Sequence, residues 1–266
     1  MIGAEEDKKM PLLEHLVELR SRLLYAAVGF FLAFFVCFYL APYILEFLQR
    51  PLAQLLSANR PMIFTDLTEP LFTQIKIAAF GALCLSFPII ATQIWAFIAP
   101  GLYTHEKHAF LPFLIATPIM FVIGMAFVYY ILMPMAWKFF LGYETAGGEG
   151  KMAIELLPKI GEYINLIMKL IFAFGFCFEL PVLLTLLAKV GIVSSKGLRD
   201  KRRYAILGIV VVAAVVTPPD PLSMMSLAVP MLALYEVSIL MARLVEKKRV
   251  QVESDESGPG TGVKPA

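Results

Sequence analysis

The chain has 266 residues, of which 59% are apolar and 17% charged, and its mean hydropathy of +0.75 lies outside the soluble range. This excludes a large soluble catalytic domain and leaves room for several membrane spans. The net charge of +2 excludes little by itself; the placement of the charges is what informs.

The first residues, MIGAEEDKK, mix charges, and the first apolar run exceeds the roughly 7–15 residues of a signal-peptide core, so it is expected to remain as a span. Ahead of it, PLLEHLVELRSRLL (11–24) is amphipathic: Leu12, Leu13, Leu16, Val17, Leu23 and Leu24 are apolar, while Glu14, His15, Glu18, Ser21 and Arg22 are polar. Six hydrophobic segments follow, at 23–41, 71–99, 109–141, 160–188, 204–217 and 222–242. The sequence thus divides into a cytoplasmic amphipathic segment (1–22), a six-helix membrane domain (23–242) and a largely disordered cytoplasmic tail (243–266). Residues 42–70 and 142–159 are expected to cap the opposite face. In YILEFLQRPLAQLL (43–56) the apolar spacing predicts interfacial helices broken at Pro51.

The segments are unequal. The third is long and carries Pro112, Pro118 and Pro134 as kink sites. The fourth, IFAFGFCFELPVLLTLLAKV (171–190), places Glu179 near mid-membrane. An ionised carboxylate there costs roughly 2.5–3.5 kcal/mol, so it is expected to face protein, water or a partner. The fifth, YAILGIVVVAAVV (204–216), rises only about 20 Å as a helix, short of the ~30 Å core. TPPDP (217–221) then turns the chain, with Asp220 as cap and Pro221 at the first helical position. The sixth contains a second intramembrane acid, Glu236. Lys76, Lys138 and Lys169 lie inside spans, each near enough to an end to snorkel, and Trp137, Tyr129 and Tyr130 fit an aromatic belt there.

Lysine and arginine crowd one side. Lys8, Lys9, Arg20 and Arg22 precede the first segment, and Lys107 lies between segments two and three. Lys189, Lys196, Arg199, Lys201, Arg202 and Arg203 follow the fourth, and Arg243, Lys247, Lys248 and Arg249 follow the sixth. The opposite loops hold Arg50, Arg60, Lys151 and Lys159. The positive-inside rule therefore places both termini in the cytoplasm.

No enzyme motif is present: there is no nucleotide loop, nucleophile elbow or zincin helix. Cys37, Cys84 and Cys177 all lie in apolar segments, and His105 with His108 lacks a third ligand, so neither a disulfide framework nor a metal or other cofactor is expected. Two cytoplasmic glutamates admit two readings each. Glu18 is either an i,i+4 partner of Arg22, worth about 0.2–0.5 kcal/mol, or part of a binding site. Glu106, in FIAPGLYTHEKH (97–108), is either a first-turn acid behind an N-cap at Thr104 or the second half of that site. An acidic pair on a basic face suits a ligand with paired arginines, because a guanidinium forms two parallel hydrogen bonds with a carboxylate.

The stretches HLVELRSRL (15–23), FIAPGLYTHE (97–106), IGMAFVYY (123–130), FAFGFCFELPV (172–182), LRDKRRYA (198–205) and TPPD (217–220) resemble the TatC family, the receptor subunits of the twin-arginine protein translocase, in order and in matching loops. The resemblance covers about residues 10–245. It implies an all-α integral membrane protein of six helices in a cupped, glove-like bundle with short fifth and sixth helices. It implies that Glu18 and Glu106 bind the signal peptide, with Arg20, Arg22, Phe97, Pro100 and Tyr103 nearby. Glu179 would be the intramembrane polar contact for partners, and Pro51 and Asp220 the matching positions of the outer cap and turn. The implied partners are TatA- and TatB-type single-span subunits, twin-arginine signal peptides of folded precursors, the lipid bilayer and further copies of the chain, with no nucleic acid. Export would be driven by the proton gradient across a bacterial inner membrane. From the residues alone, a proton-coupled secondary transporter using Glu179 and Glu236 fits the intramembrane acids equally well; the lack of an internal repeat and the short fifth span argue against it.

Overall fold

The computed structural model describes residues 12–56, 60–102, 111–148, 150–217 and 221–256. They form helices α1 (Leu12–Tyr39), α2 (Ala41–Ala53), α3 (Glu69–Leu102), α4 (Leu111–Phe127), α5 (Met133–Leu141), α6 (Ile160–Phe178), α7 (Leu180–Val190), α8 (Ser195–Asp200), α9 (Arg202–Val216) and α10 (Pro221–Glu256). Among the described residues only isolated β-bridges occur, in the cap segments. Among the described residues five helical stretches are long and apolar enough to cross a membrane: Leu16–Tyr39, Glu69–Phe97, Leu111–Leu141, Ile160–Val190 and Met224–Lys247. The protein is a multi-pass, all-α membrane protein. The expected fifth segment is helical as α9, but at 15 residues it spans only about 22 Å.

Two compact units are distinguishable. One comprises the chain to Glu46 with Leu71–Pro118; the other comprises Phe47–Pro70 with the chain from Ile119.

In the first unit α1 and α3 approach through small side chains. Ala33, Cys37, Ala78 and Ala82 are buried together, flanked by Phe30, Phe34 and Ile44. A Cβ on Gly81 would sit 3.2 Å from the Cys37 sulfur, so this packing depends on the missing side chain. The rest of α1 presents large apolar groups such as Phe31, Leu32 and Phe35 outward, as a lipid-facing span does.

In the second unit two glycines set the spacing of α4 and α6. A Cβ on Gly124 would lie 2.8 Å from the Phe174 carbonyl oxygen, and one on Gly175 would lie 2.6 Å from the buried Phe121 ring. Along α10, Leu227, Met231, Tyr235, Ile239 and Ala242 recur at helical spacing and are buried. The Tyr235 hydroxyl donates to the Leu198 carbonyl of α8 at 2.8 Å.

Several expectations need correcting. α2 is not broken at Pro51; it runs through it. A proline removes the N–H that would bond the carbonyl four residues earlier, here that of Phe47. The Tyr129 hydroxyl donates to that oxygen instead, at 2.8 Å, and its ring stacks on Phe47 with centroids 4.3 Å apart. Tyr163 donates to the neighbouring Leu48 carbonyl at 2.9 Å. Trp137 is not a lipid-facing belt residue: it is buried and stacks on Tyr163. Tyr129 and Tyr130 sit in a π-helical turn, Val128–Leu132, that joins α4 to α5 ahead of Pro134.

The amphipathic segment and the first span are one helix, since no glycine or proline interrupts residues 12–28. The sixth helix is not short. α10 has 36 residues and continues through the charged stretch after Arg243, where the sequence contains no helix breaker until Gly258. The tail is therefore helical as far as Glu256. Helix α10 also has a partner at that end: the Glu246 carboxylate accepts the Ser195 N–H at 2.7 Å and the Ser195 hydroxyl, anchoring the start of α8.

The caps are ordered by carboxylates. Glu69 accepts the Gly161 N–H at 2.9 Å and the Thr65 N–H at 3.1 Å, with Lys159 at 3.9 Å. Ile63 and Ile160 complete the junction by exchanging backbone bonds with Pro158 and Ile63. Glu144 pairs with Arg60 and accepts the Leu156 N–H at 3.0 Å across the hairpin Thr145–Ile154.

Candidate functional site

Of the residues expected to bind a ligand, Glu18, Arg20 and Arg22 lie in the amino-terminal half of α1, and Phe97 and Pro100 near the carboxy-terminal end of α3. Glu18 and Arg22 are one helical turn apart on α1. The Arg22 guanidinium grips one carboxylate oxygen, Glu18 Oε1, through Nη2 at 2.8 Å and Nε at 3.2 Å. Its remaining nitrogen, Nη1, donates to the Gln93 side-chain oxygen on α3 at 3.5 Å. Arg22 thus ties α1 to α3. Both charged side chains are only about a quarter to a third exposed, 22% for Glu18 and 32% for Arg22. Glu18 Oε2 accepts no hydrogen bond from a described residue, and neighbouring Arg20 is exposed.

Phe97 lies one turn beyond Gln93 on the same face of α3 and is half-buried. Between them, Trp95 donates its indole N–H to the Thr117 hydroxyl on α4 at 3.0 Å, and Thr117 passes its own proton to the Phe113 carbonyl at 3.0 Å. These bonds fix the end of α3 against α4. Tyr103 and Glu106 lie outside the described residues, as do Asp220 and the side chain of Pro100. Gln93 was not among the expected site residues. A lone glutamine in an otherwise apolar span end was the available signal, and its role depends on a contact 71 positions away in sequence.

Glu179 falls where α6 ends and α7 begins. Its N–H bonds the Phe176 carbonyl at 3.0 Å, its own carbonyl accepts from Leu183 at 2.9 Å, and Pro181 opens the next helix. The proline lacks an N–H, so the ladder is interrupted at the acid, inside the apolar stretch Ile160–Val190. The side chain is half-buried with Oε1 fully buried. The second acid, Glu236, pairs with Arg202 at 2.7 Å, both side chains being about half exposed, 49% and 46%. The two acids therefore have different settings: one sits half-buried at a helix break, the other in an ion pair at the start of α9.

Among the described residues no cluster of metal-ligating side chains occurs. The geometry offers one carboxylate, Glu18, for a cationic, hydrogen-bonding ligand at the amino-terminal half of α1, and a polar point within a span at Glu179.

A family model described as Sec-independent protein translocase protein (TatC) matches residues 14–230. The Sec-independent protein translocase protein TatC of Magnetococcus marinus is 46% identical over 255 residues, covering 96% of this chain and 92% of that protein. Its counterpart from Rickettsia prowazekii is 43% identical, covering 89% and 94%, and that from Escherichia coli strain K12 is 39% identical, covering 88% of each. A crystal structure of the twin arginine translocase receptor TatC superposes with a TM-score of 0.75 at 36% identity, covering 87% of this chain and 99% of that one.

Proposed function

Because the chain belongs to the TatC family of Sec-independent protein translocase proteins, we propose that it is the signal-peptide receptor of a twin-arginine translocase in a bacterial inner membrane. It is a translocase component and not an enzyme, and membership of the family sets aside the secondary-transporter reading. Both termini face the cytoplasm, as the lysine and arginine distribution requires, so the α1–α3 end receives precursors before export.

The observation that carries the proposal is the state of Glu18. Its carboxylate already holds one guanidinium, from Arg22, on a single oxygen and, among the described residues, leaves the other for a second. Arg22, steadied by Gln93, orients the acid, and an arginine of the signal peptide takes Oε2. Glu106 accepts the other arginine, Phe97 and Tyr103 flank the pair, Pro100 shapes the loop and Arg20 contacts the peptide backbone. Arginine is required over lysine because its planar fork makes paired hydrogen bonds. Glu179 then offers a polar contact to TatA- and TatB-type single-span subunits, which assemble the passage with further copies of this chain. The cap around Pro51 and the turn at Asp220 hold the opposite face, and the proton gradient supplies the energy.

The test is a crosslinking experiment in nanodiscs. A signal peptide carrying a photoreactive residue beside its arginine pair should label residues 12–24, and Glu18→Gln should lower that labelling about tenfold, the loss expected for one charge-assisted hydrogen bond. Undiminished labelling in the variant would remove Glu18 from the site.

A further inference from the structure

Helix α6 carries a polar stripe that signal-peptide reception leaves unused. Glu162, Asn165 and Lys169 are spaced three and four residues apart and share one face. With Leu166 they form one wall of an open cavity of about 330 Å³, and the end of α9, Val215, Val216 and Thr217, forms the other. That volume is at the small end of the roughly 300–1,000 Å³ typical of ligand sites. Glu162 and Lys169 are exposed, and among the described residues neither makes an ion pair or hydrogen bond. The Thr217 hydroxyl donates to the Ala213 carbonyl at 2.8 Å.

Lys169 lies about 13 Å along the axis from the start of α6 at Ile160. A bare ammonium at such a depth costs roughly 2.5–3.5 kcal/mol on insertion scales, so it needs either an outward path or an anion. Side chains of a helix lean toward its amino terminus, which carries the Lys169 stem up toward Asn165 and Glu162. The ammonium then arrives where the headgroups of the adjacent leaflet begin. The order of charge along the helix is base deeper, acid shallower, with Leu166, Val215 and Val216 as the apolar part of the lining.

That order matches one class of molecule already surrounding the protein. In a phospholipid headgroup bearing a primary amine, the phosphate lies deeper in the bilayer and the ammonium projects outward. We propose that the α6–α9 groove binds such an aminophospholipid, of the outer leaflet on the orientation given above. Lys169 and Asn165 hold the phosphate, Glu162 holds the amine, and the acyl chains lie along Val215 and Leu166. Glu162 disfavours a purely anionic headgroup by like-charge repulsion. A partner helix presenting a single acid would satisfy Lys169 and leave Glu162 unmatched, so the lipid is the better fit.

Native mass spectrometry of the full-length, delipidated protein in detergent tests this with phosphatidylethanolamine, phosphatidylglycerol and inorganic phosphate as probes. Phosphatidylethanolamine should be retained about tenfold more strongly than phosphatidylglycerol. Lys169→Gln should weaken both lipids about tenfold, Lys169→Arg should restore them, and Glu162→Gln should remove the preference between them. Lys138→Gln, outside the groove, should change neither, and equal melting temperatures would show that the variants fold. Unchanged lipid retention in Lys169→Gln would overturn the proposal. So would inorganic phosphate competing away the lipid at equal concentration, which would mark a free-anion site. Crosslinking of a single-span partner to position 169 that persists in lipid-saturated protein would overturn it too, in favour of a protein contact.

Discussion

A hydroxyl that replaces a missing N–H should reveal itself by coupling. Tyr129 donates to the Phe47 carbonyl that Pro51 leaves without its helical donor. Tyr129→Phe should therefore destabilise the protein by about 0.5–1.5 kcal/mol in thermal unfolding, the usual net worth of one hydrogen bond. In a Pro51→Ala background, where the N–H is restored, the same change should cost much less. Equal costs in both backgrounds would mean that the hydroxyl and the proline act independently. Glu144 makes a second prediction. The Leu156 N–H, and secondarily Arg60, hold its pKa below the ordinary glutamate value of 4.5, with partial burial opposing them. A depressed folded-state pKa gives stability that is complete above the unfolded value and disappears as pH falls through the folded one. The cap should accordingly loosen below about pH 4.5, seen as faster hydrogen exchange at Leu156, while Glu144→Gln should show the looser exchange at neutral pH and no acid step. An acid step surviving in Glu144→Gln would assign it to another group.

At the scale of elements, glycine decides how closely α4 and α6 pack. Gly175→Val would drive methyl groups into the Phe121 ring, which is 1% exposed and has nowhere to move. A loss of about 1–3 kcal/mol is expected, compared with a small effect for Gly208→Ala, where a Cβ meets open space. At the other end of the unit, Glu246→Gln should raise hydrogen exchange across α8, because the carboxylate holds the Ser195 N–H. The helical spans, the short α9 and the helix start at Pro221 were all legible in the sequence, since each follows from runs of apolar residues and from proline. What was not legible came from contacts between distant positions. Local rules break α2 at Pro51, but Tyr129, 82 positions away in sequence, supplies a donor to the carbonyl that the proline leaves without one. Local rules also give Trp137 to the lipid interface, whereas Tyr163 buries it. The full length of α10 is not read from hydropathy because the apolar run ends at Ala242 while helix propensity does not. At the candidate site, Glu18 and Arg22 were legible as an i,i+4 pair; Gln93, which fastens them to α3, was not.

At the scale of the whole molecule, lysine and arginine concentrate in one alternating set of loops of the sequence, while carboxylates order the segments of the other set. On the proposed orientation, with both termini cytoplasmic, the α1–α3 end is the one that would receive the signal peptide, at the cytoplasmic face. That face is rich in lysine and arginine, so general electrostatics would repel a doubly cationic peptide; a few well-placed carboxylates must overcome this locally. Affinity should consequently rise with ionic strength when the Glu18 site is absent and fall with it when the site is present, because screening weakens whichever interaction dominates.

The most direct measurement is the affinity of the full-length protein in nanodiscs for a twin-arginine signal peptide and for its twin-lysine counterpart, with Glu18→Gln and Glu106→Gln alongside. Receptor function through paired carboxylates predicts at least about tenfold tighter binding of the arginine peptide, a preference lost in both variants. Equal binding of the two peptides, or an undiminished preference in the glutamine variants, would contradict it and return both glutamates to stabilising helix ends.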